Sequence, residues 1–146
     1  MKITEKTSLQ GEFSLIIKDK HGKTLQAIKE PNLIVSGAKN QLARLIGGNM
    51  TNRQITQIGF GTGASAASPD NTGLTNGFFK PVSVVSYPAI GQVAFSWSLS
   101  TAEANGLAIT EFGLRCADGT LFSRKVRAAI NKSDDISIDG TWTIIF

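Results

Sequence analysis

A chain of 146 residues, 41% hydrophobic, with 15 Lys/Arg against 11 Asp/Glu, has apolar material for one sizeable core and a modest formal charge of +4. No apolar run approaches the ~20 residues of a membrane-spanning helix, and the opening MKITEKTSLQGEF carries charges where a secretory signal would carry an apolar segment. Cys116 is the only cysteine and His21 the only histidine, which excludes an intrachain disulfide and a Cys/His zinc site and suits synthesis in a reducing cytoplasm.

Charge is unevenly spread. Residues 1–50 hold eight Lys/Arg and four Asp/Glu, residues 101–146 hold five and six, and residues 51–100 hold only Arg53, Lys80 and Asp70. Two readings fit the nearly uncharged middle: core strands joined by Gly/Ser/Thr loops, as antiparallel strands bury one face, or a surface partly covered by neighbouring subunits.

In chain order, GEFSLIIK (11–18) and KTLQAIK (23–29) read as strands joined by the DKHG turn, so residues 1–30 are expected to form an N-terminal hairpin. EPN (30–32) breaks the chain before Leu33, Ile34 and Val35. One short helix is expected at 37–46, with Ser36 as N-cap, an apolar face of Leu42, Leu45 and Ile46, and Gly47-Gly48 as the stop. QITQIGF (54–60) follows as a strand with a kink or a close approach at Gly59, then the small-residue loop GTGASAASPDNTGLTNG (61–77), a class of loop that makes contacts or carries function. FFKPVSVVSY (78–87) reads as one proline-containing edge or bulged strand. QVAFSWSLS (92–100) alternates cleanly, with Val93, Phe95, Trp97 and Leu99 on one face. LAITEFGLRC and TLFSRKVRA flank a tight Asp118-Gly119 turn, and ISIDGTWTIIF forms the last strand, with Trp142, Ile144 and Phe146 on one face. Some seven strands and one helix predict an all-β fold, an antiparallel sandwich with Greek-key-like order, as a single domain over residues 1–146.

Catalytic chemistry finds little support. His21 sits in a hairpin turn with no orienting partner, and no serine lies in a G-x-S-x-G elbow. Asp134 and Asp135 are adjacent, so on a strand they would point to opposite faces, and a solvated turn is the expected setting; nothing in the pattern brings Glu103 to Glu111. GFGTGA (59–64) has glycines but no following lysine, and turn residues stand where a phosphate-binding helix should start. The expectation is no catalytic residue, no cofactor and no metal. The stretch EFGLRCADGTLFSRKVRA (111–128) is the most basic, but period two puts Phe122, Arg124 and Val126 on one face and Ser123, Lys125 and Arg127 on the other. A split of this kind suits a charged hairpin edge better than a nucleic-acid grip, so no nucleic acid and no membrane partner are expected.

The order NLIVSGAKNQLARLIGG (32–48), ITQIGFGTGASAASPDNTGL (55–74), VSYPAIGQVAFSWSLSTAEANGLAITEFGLRCADGTLFSRK (85–125) and ISIDGTWTIIF resembles a group of small tail-fibre or baseplate-type structural proteins of tailed bacteriophages and prophages. The likeness covers residues 32–146, and AEANGLAITEFGL…DGTLFSRK is its most distinctive part. It implies a non-enzymatic virion protein, made in the bacterial host cytoplasm, that assembles with copies of itself and with other virion proteins. Thr62, Gly63, Ser65, Asp70, Thr72 and Leu74 of the small-residue loop, with Lys20 and Lys23 of the N-terminal hairpin as an assembly arm, are the expected contacts. Two alternatives stand beside it. One is a capsid decoration protein. The other is a carbohydrate-binding module contacting a host-surface glycan through Tyr87, Trp97 and Trp142, although the two tryptophans lie in alternating apolar strands that suit core packing.

Overall fold

The computed structural model describes residues 9–146. It contains β1 (Gln10–Asp19), β2 (Thr24–Ile34), α1 (Ser36–Ile46), β3 (Ile55–Gly61), β4 (Phe78–Pro81), β5 (Val84–Ser86), β6 (Gln92–Leu99), β7 (Ala108–Cys116), β8 (Leu121–Asn131) and β9 (Ile136–Ile145). All pairings are antiparallel and join the strands in the order β4-β3-β7-β8-β2-β1-β9-β6-β5, which makes β4 and β5 the two edges. The fold is all-β with one short helix. Of the N-terminal hairpin, residues 1–8 lie outside the described residues.

Alternation builds the first layer. Phe13, Leu15 and Ile17 of β1 face inward, and the register sets them in rows with β9 and β6: Phe13–Trp142–Phe95, Leu15–Gly140–Trp97 and Ile17–Ile138–Leu99. All but Gly140 are large and buried. Gly140 is small for a steric reason, since a Cβ there would lie 2.0 Å from Cζ2 of Trp97. The second layer supplies Ile58 and Phe60 of β3, Phe112 and Leu114 of β7 and Phe122 of β8. Rings interlock across the layers, with Phe13–Phe112 centroids 4.8 Å apart and Phe60–Trp97 centroids 5.3 Å apart at 69°. Offset and edge-on contacts of this kind add to simple area burial.

Strand β2 connects the layers, and here the sequence reading is corrected. EPN does not break the chain. β2 pairs with β1 as far as Asn32 and then with β8 through Leu33 and Ile34. Pro31 is tolerated at this change of partner, where the ladder does not require its missing N–H. The helix starts one residue early as a result. Val35 donates its N–H to Phe122 O at 3.1 Å and becomes the N-cap, while Ser36 is already helical and its N–H goes to Pro69 O at 2.8 Å. Ala38 and Gln41 are the buried helical residues, and Ile46 is exposed. Segment 78–87 is two strands, not one. β4 pairs with β3 and β5 pairs with β6, so Val82 and Ser83 carry the chain between the two edges.

The β7–β8 hairpin is central, not the charged sheet edge expected, because β3 flanks it on one side and β2 on the other. Its turn is a three-residue connection. Gly119 N–H donates to Cys116 O and Cys116 N–H to Thr120 O, both at 2.9 Å, and Gly119 is the one turn residue at positive φ, 91°. This is a type I turn closed by a glycine bulge. A side chain at Gly119 meets open space, so Gly119→Val is expected to destabilise through backbone strain alone, by about 1–2 kcal/mol. A denaturant titration with an unchanged midpoint would count against this geometry.

Candidate functional site

The 62–77 loop is tied to its own chain. Glu111 and Arg124, 1% and 3% exposed, form a buried ion pair with Nε to Oε1 at 2.9 Å. The other carboxylate oxygen, Oε2, accepts the N–H groups of Gly63 and of Thr75, the latter at 2.9 Å. Arg124 Nη1 donates to Asn71 Oδ1 at 3.0 Å, Thr110 Oγ1 donates to Gly63 O at 2.8 Å, and Thr62 N–H donates to Thr75 O at 3.0 Å. Leu74 packs over Gly59 and Gly113, where an added Cβ would crowd its methyl groups. Of the expected assembly contacts, Thr62, Gly63 and Leu74 are thus half-buried against this chain's own body, and Ser65, Asp70 and Thr72 face outward. Glycine at 63 is required by the close approach of Glu111, and small residues elsewhere in the loop let its backbone follow the sheet.

The lysines of the β1–β2 hairpin sit on the surface beside carboxylates. Lys18 pairs with Asp139 at 3.3 Å, Lys20 with Asp135 at 3.6 Å and Lys29 with Glu12 at 3.5 Å, while Lys23 is exposed. Exposed pairs of this type contribute ~0–1 kcal/mol each. They set the surface charge more than the stability.

The basic residues of 111–128 go to separate partners. Arg115 donates to Gln57 Oε1 and lies 3.5 Å from the centroid of the Phe79 ring. Lys125 reaches Glu30 at 2.6 Å and Pro31 O at 2.9 Å, and its hydrogen bond holds the Glu30 carboxyl below the ordinary range. The even face division of β8 fails, because Leu121, Phe122, Ser123 and Arg124 are all buried. Register shifts in the β7–β8 pairing and the loop lying over Arg124 bury both sides of the strand there. Glu103 and Glu111 do not meet. Glu103 accepts from Lys80 at 2.7 Å, which lowers its pKa, and Glu111 belongs to Arg124. Lys132 is buried, donates to Asn105 Oδ1 at 2.8 Å and Ser133 O at 2.9 Å, and has its pKa pushed down by that burial. The bond to Asn105, with the backbone bonds from Gly106 N–H to Lys132 O and from Lys132 N–H to Leu107 O, pins the 100–107 turn. Among the described residues, no three of His, Cys, Asp and Glu are placed to hold a metal ion.

The sugar-contact set needs correction. Trp97 and Trp142 are 2% and 0% exposed, enclosed by Phe13, Phe60 and Phe112, and no sugar ring can stack on either in the folded chain. Tyr87 alone is open, at 76%.

Tyr87 belongs to a cleft that the sequence reading located no more finely than the nearly uncharged 51–100 block. The β5–β6 hairpin projects at the end of the sandwich where β9 finishes, and Phe146 N–H donates to Gly91 O at 2.8 Å. Between this hairpin, α1 and the 53–55 segment lies an open cleft of about 970 Å³. Leu42, Leu45, Ile55 and Val93 form its walls, with Val85, Tyr87, Ile90 and Phe146 at the rim. Ile90 is fully exposed, Phe146 and Val85 about half. Among the described residues, Arg53 is the one charged residue lining it, and it is held by Gln41 Oε1 at 2.8 Å and Asp118 at 3.7 Å. A signal for this surface was available, because residues 81–102 contain no charged side chain. Comparisons with protein-family models, with curated proteins and with solved structures returned no match, so the geometry of the chain itself carries the functional reading.

Proposed function

We propose that this chain is a non-enzymatic structural protein of a tailed-phage virion, built into the tail, baseplate or fibre region as one of several copies. The observation that carries the reading is the neutral apolar end of the sandwich, where Tyr87, Ile90, Val85 and Phe146 surround a cleft with no free charge. Large contiguous apolar surface of this kind marks an interaction site, and the order of segments in residues 32–146 points to a virion as the setting. The loop clasped by Glu111 and Arg124 supports the same role, since a rigid body presents a fixed contact surface.

The test is compositional. Particles of the phage or prophage that encodes this chain are purified on a density gradient, separated into tails and heads, and analysed by quantitative mass spectrometry. The expected result is several copies per tail. Recovery with heads would favour capsid decoration. Presence in the lysate without recovery in any particle would overturn the proposal.

A further inference from the structure

We propose that the β5 edge and the adjoining cleft form a two-fold interface between two copies of this chain, with β5 pairing antiparallel to β5 of the second copy. The inference rests on the assembly role above and names the surface and the partner for it.

Three observations favour a second copy over another occupant. The first is the edge itself. Among the described residues, β5 has a strand partner on one side only, and its residues Val84, Val85 and Ser86 are exposed and carry no charge. Sheet edges that must stay unpaired are blunted by lysine, proline, a bulge or shortness, and of these β5 has only its three-residue length. The opposite edge, β4, has Lys80 and ends in Pro81, whereas β5 has neither.

The second is charge. The chain carries +4 overall, so two copies repel unless they meet at a neutral face. The stretch 81–102 is such a face, and Arg53 beside it is already paired with Asp118.

The third is area. Val85, Tyr87, Ile90 and Phe146, all lining the cleft, are 45–105% exposed. With ~150–250 Å² for an aromatic side chain and somewhat less for Ile and Val, they present roughly 500–600 Å². The cleft walls bring this near the ~800 Å² per partner of a standard association. Val85 lies opposite Phe95 and so faces the cleft side of the sheet. A two-fold axis through Val85 would set it against its own counterpart and bring the two clefts together as one apolar seam.

The experiment uses the full chain. Sedimentation equilibrium is expected to give twice the 15.5 kDa chain mass, and Ile90→Asp or Val85→Lys should weaken the dimer roughly 30-fold or more, as for a central interface residue. Far-ultraviolet circular dichroism should remain that of the parent chain, and so should the thermal midpoint when both proteins are diluted until the parent is monomeric, because both side chains are on the surface and only the association is lost. Val85→Cys should form an intermolecular disulfide on mild oxidation, since directly opposed Cα atoms lie ~4.5–5.5 Å apart, within the ~4.4–6.8 Å that a disulfide spans, and Cys116 is buried. Ser65→Cys, on the loop, should not. A monomer at 100 µM, an assembly unaffected by the Ile90 and Val85 variants, or cross-linking at Ser65 but not Val85 would each overturn the interface. Recovery of the chain in tails as a monomeric subunit would remove the interface and leave the virion role standing. A dimer that never enters particles would do the reverse.

Discussion

Arg124→Ala is expected to lose about 3–5 kcal/mol of stability, because it leaves the Glu111 carboxylate buried without its counter-ion. Little of that cost reflects the attraction between the two groups; it arises from a charge held out of water with no partner. The double replacement Arg124→Met with Glu111→Leu separates the contributions. In a simple buried pair, apolar substitution of both members is often neutral. Here Glu111 also accepts the N–H groups of Gly63 and Thr75, so the double variant still leaves two amides without an acceptor, at about 1–3 kcal/mol each where they stay buried. Recovery should therefore be partial, and hydrogen exchange at Gly63 and Thr75 should quicken relative to the core amides of β1 and β9. A single variant within 1 kcal/mol of the parent in urea, or a double variant with full protection at both amides, would show that the pair does not hold the loop.

The elements that were legible are those whose buried face repeats every second residue. QVAFSWSLS and ISIDGTWTIIF announce an inner face through Phe95, Trp97, Leu99, Trp142 and Ile144, because a pleated strand sends alternate side chains to opposite sides. The β1–β2 and β7–β8 hairpins were legible from Asp and Gly at the turns. What local pattern does not encode is which strands meet. β9 lies between β1 and β6, the one about 120–135 residues earlier in the chain and the other about 40–50. β2 changes partner in mid-strand, so Pro31 looks like a break when read alone. Segment 78–87 divides because its two halves pair on opposite layers, a fact that resides in β3 and β6.

The site shows the same limit. Loop 61–77 was marked by its small side chains, but those residues serve close approach to Glu111 and to the glycines of β3 and β7 rather than an outward contact alone. Arg124 alternates with Phe122 and Val126 as a strand residue should, yet its burial depends on Glu111 across the hairpin and Asn71 in the loop, and polar burial is invisible until the partners are known. The cleft was missed because Tyr87 and Ile90 resemble any turn-flanking apolar residues. Their exposure follows from a hairpin that extends past the covering elements. The run of 22 uncharged residues from 81 to 102 was the accessible sign.

Trp142→Ala should be among the most damaging single substitutions. The indole is fully buried, packs edge-on against Phe13 with centroids 5.0 Å apart, and fills the centre of the row Phe13–Trp142–Phe95. Truncating a buried aromatic to alanine costs about 3–5 kcal/mol, a transfer loss plus the cavity left behind. Collapse around that cavity is resisted on both sides, because β9 is hydrogen-bonded to β1 and to β6 along its length. Since domains of this size hold ~5–15 kcal/mol in total, removal of residues 141–146 should abolish cooperative folding. It takes away Trp142 and Ile144 together with half the ladder that joins β1 to β6. Thr143→Ala is the matched control. Its side chain is on the opposite face of the same strand, half-buried, and its loss should cost no more than about 1 kcal/mol. Urea titrations followed by far-ultraviolet circular dichroism report all three. A Trp142→Ala midpoint no lower than that of Thr143→Ala, or a soluble truncation with a single sharp melt, would mean that β9 is not the strand holding the first layer together.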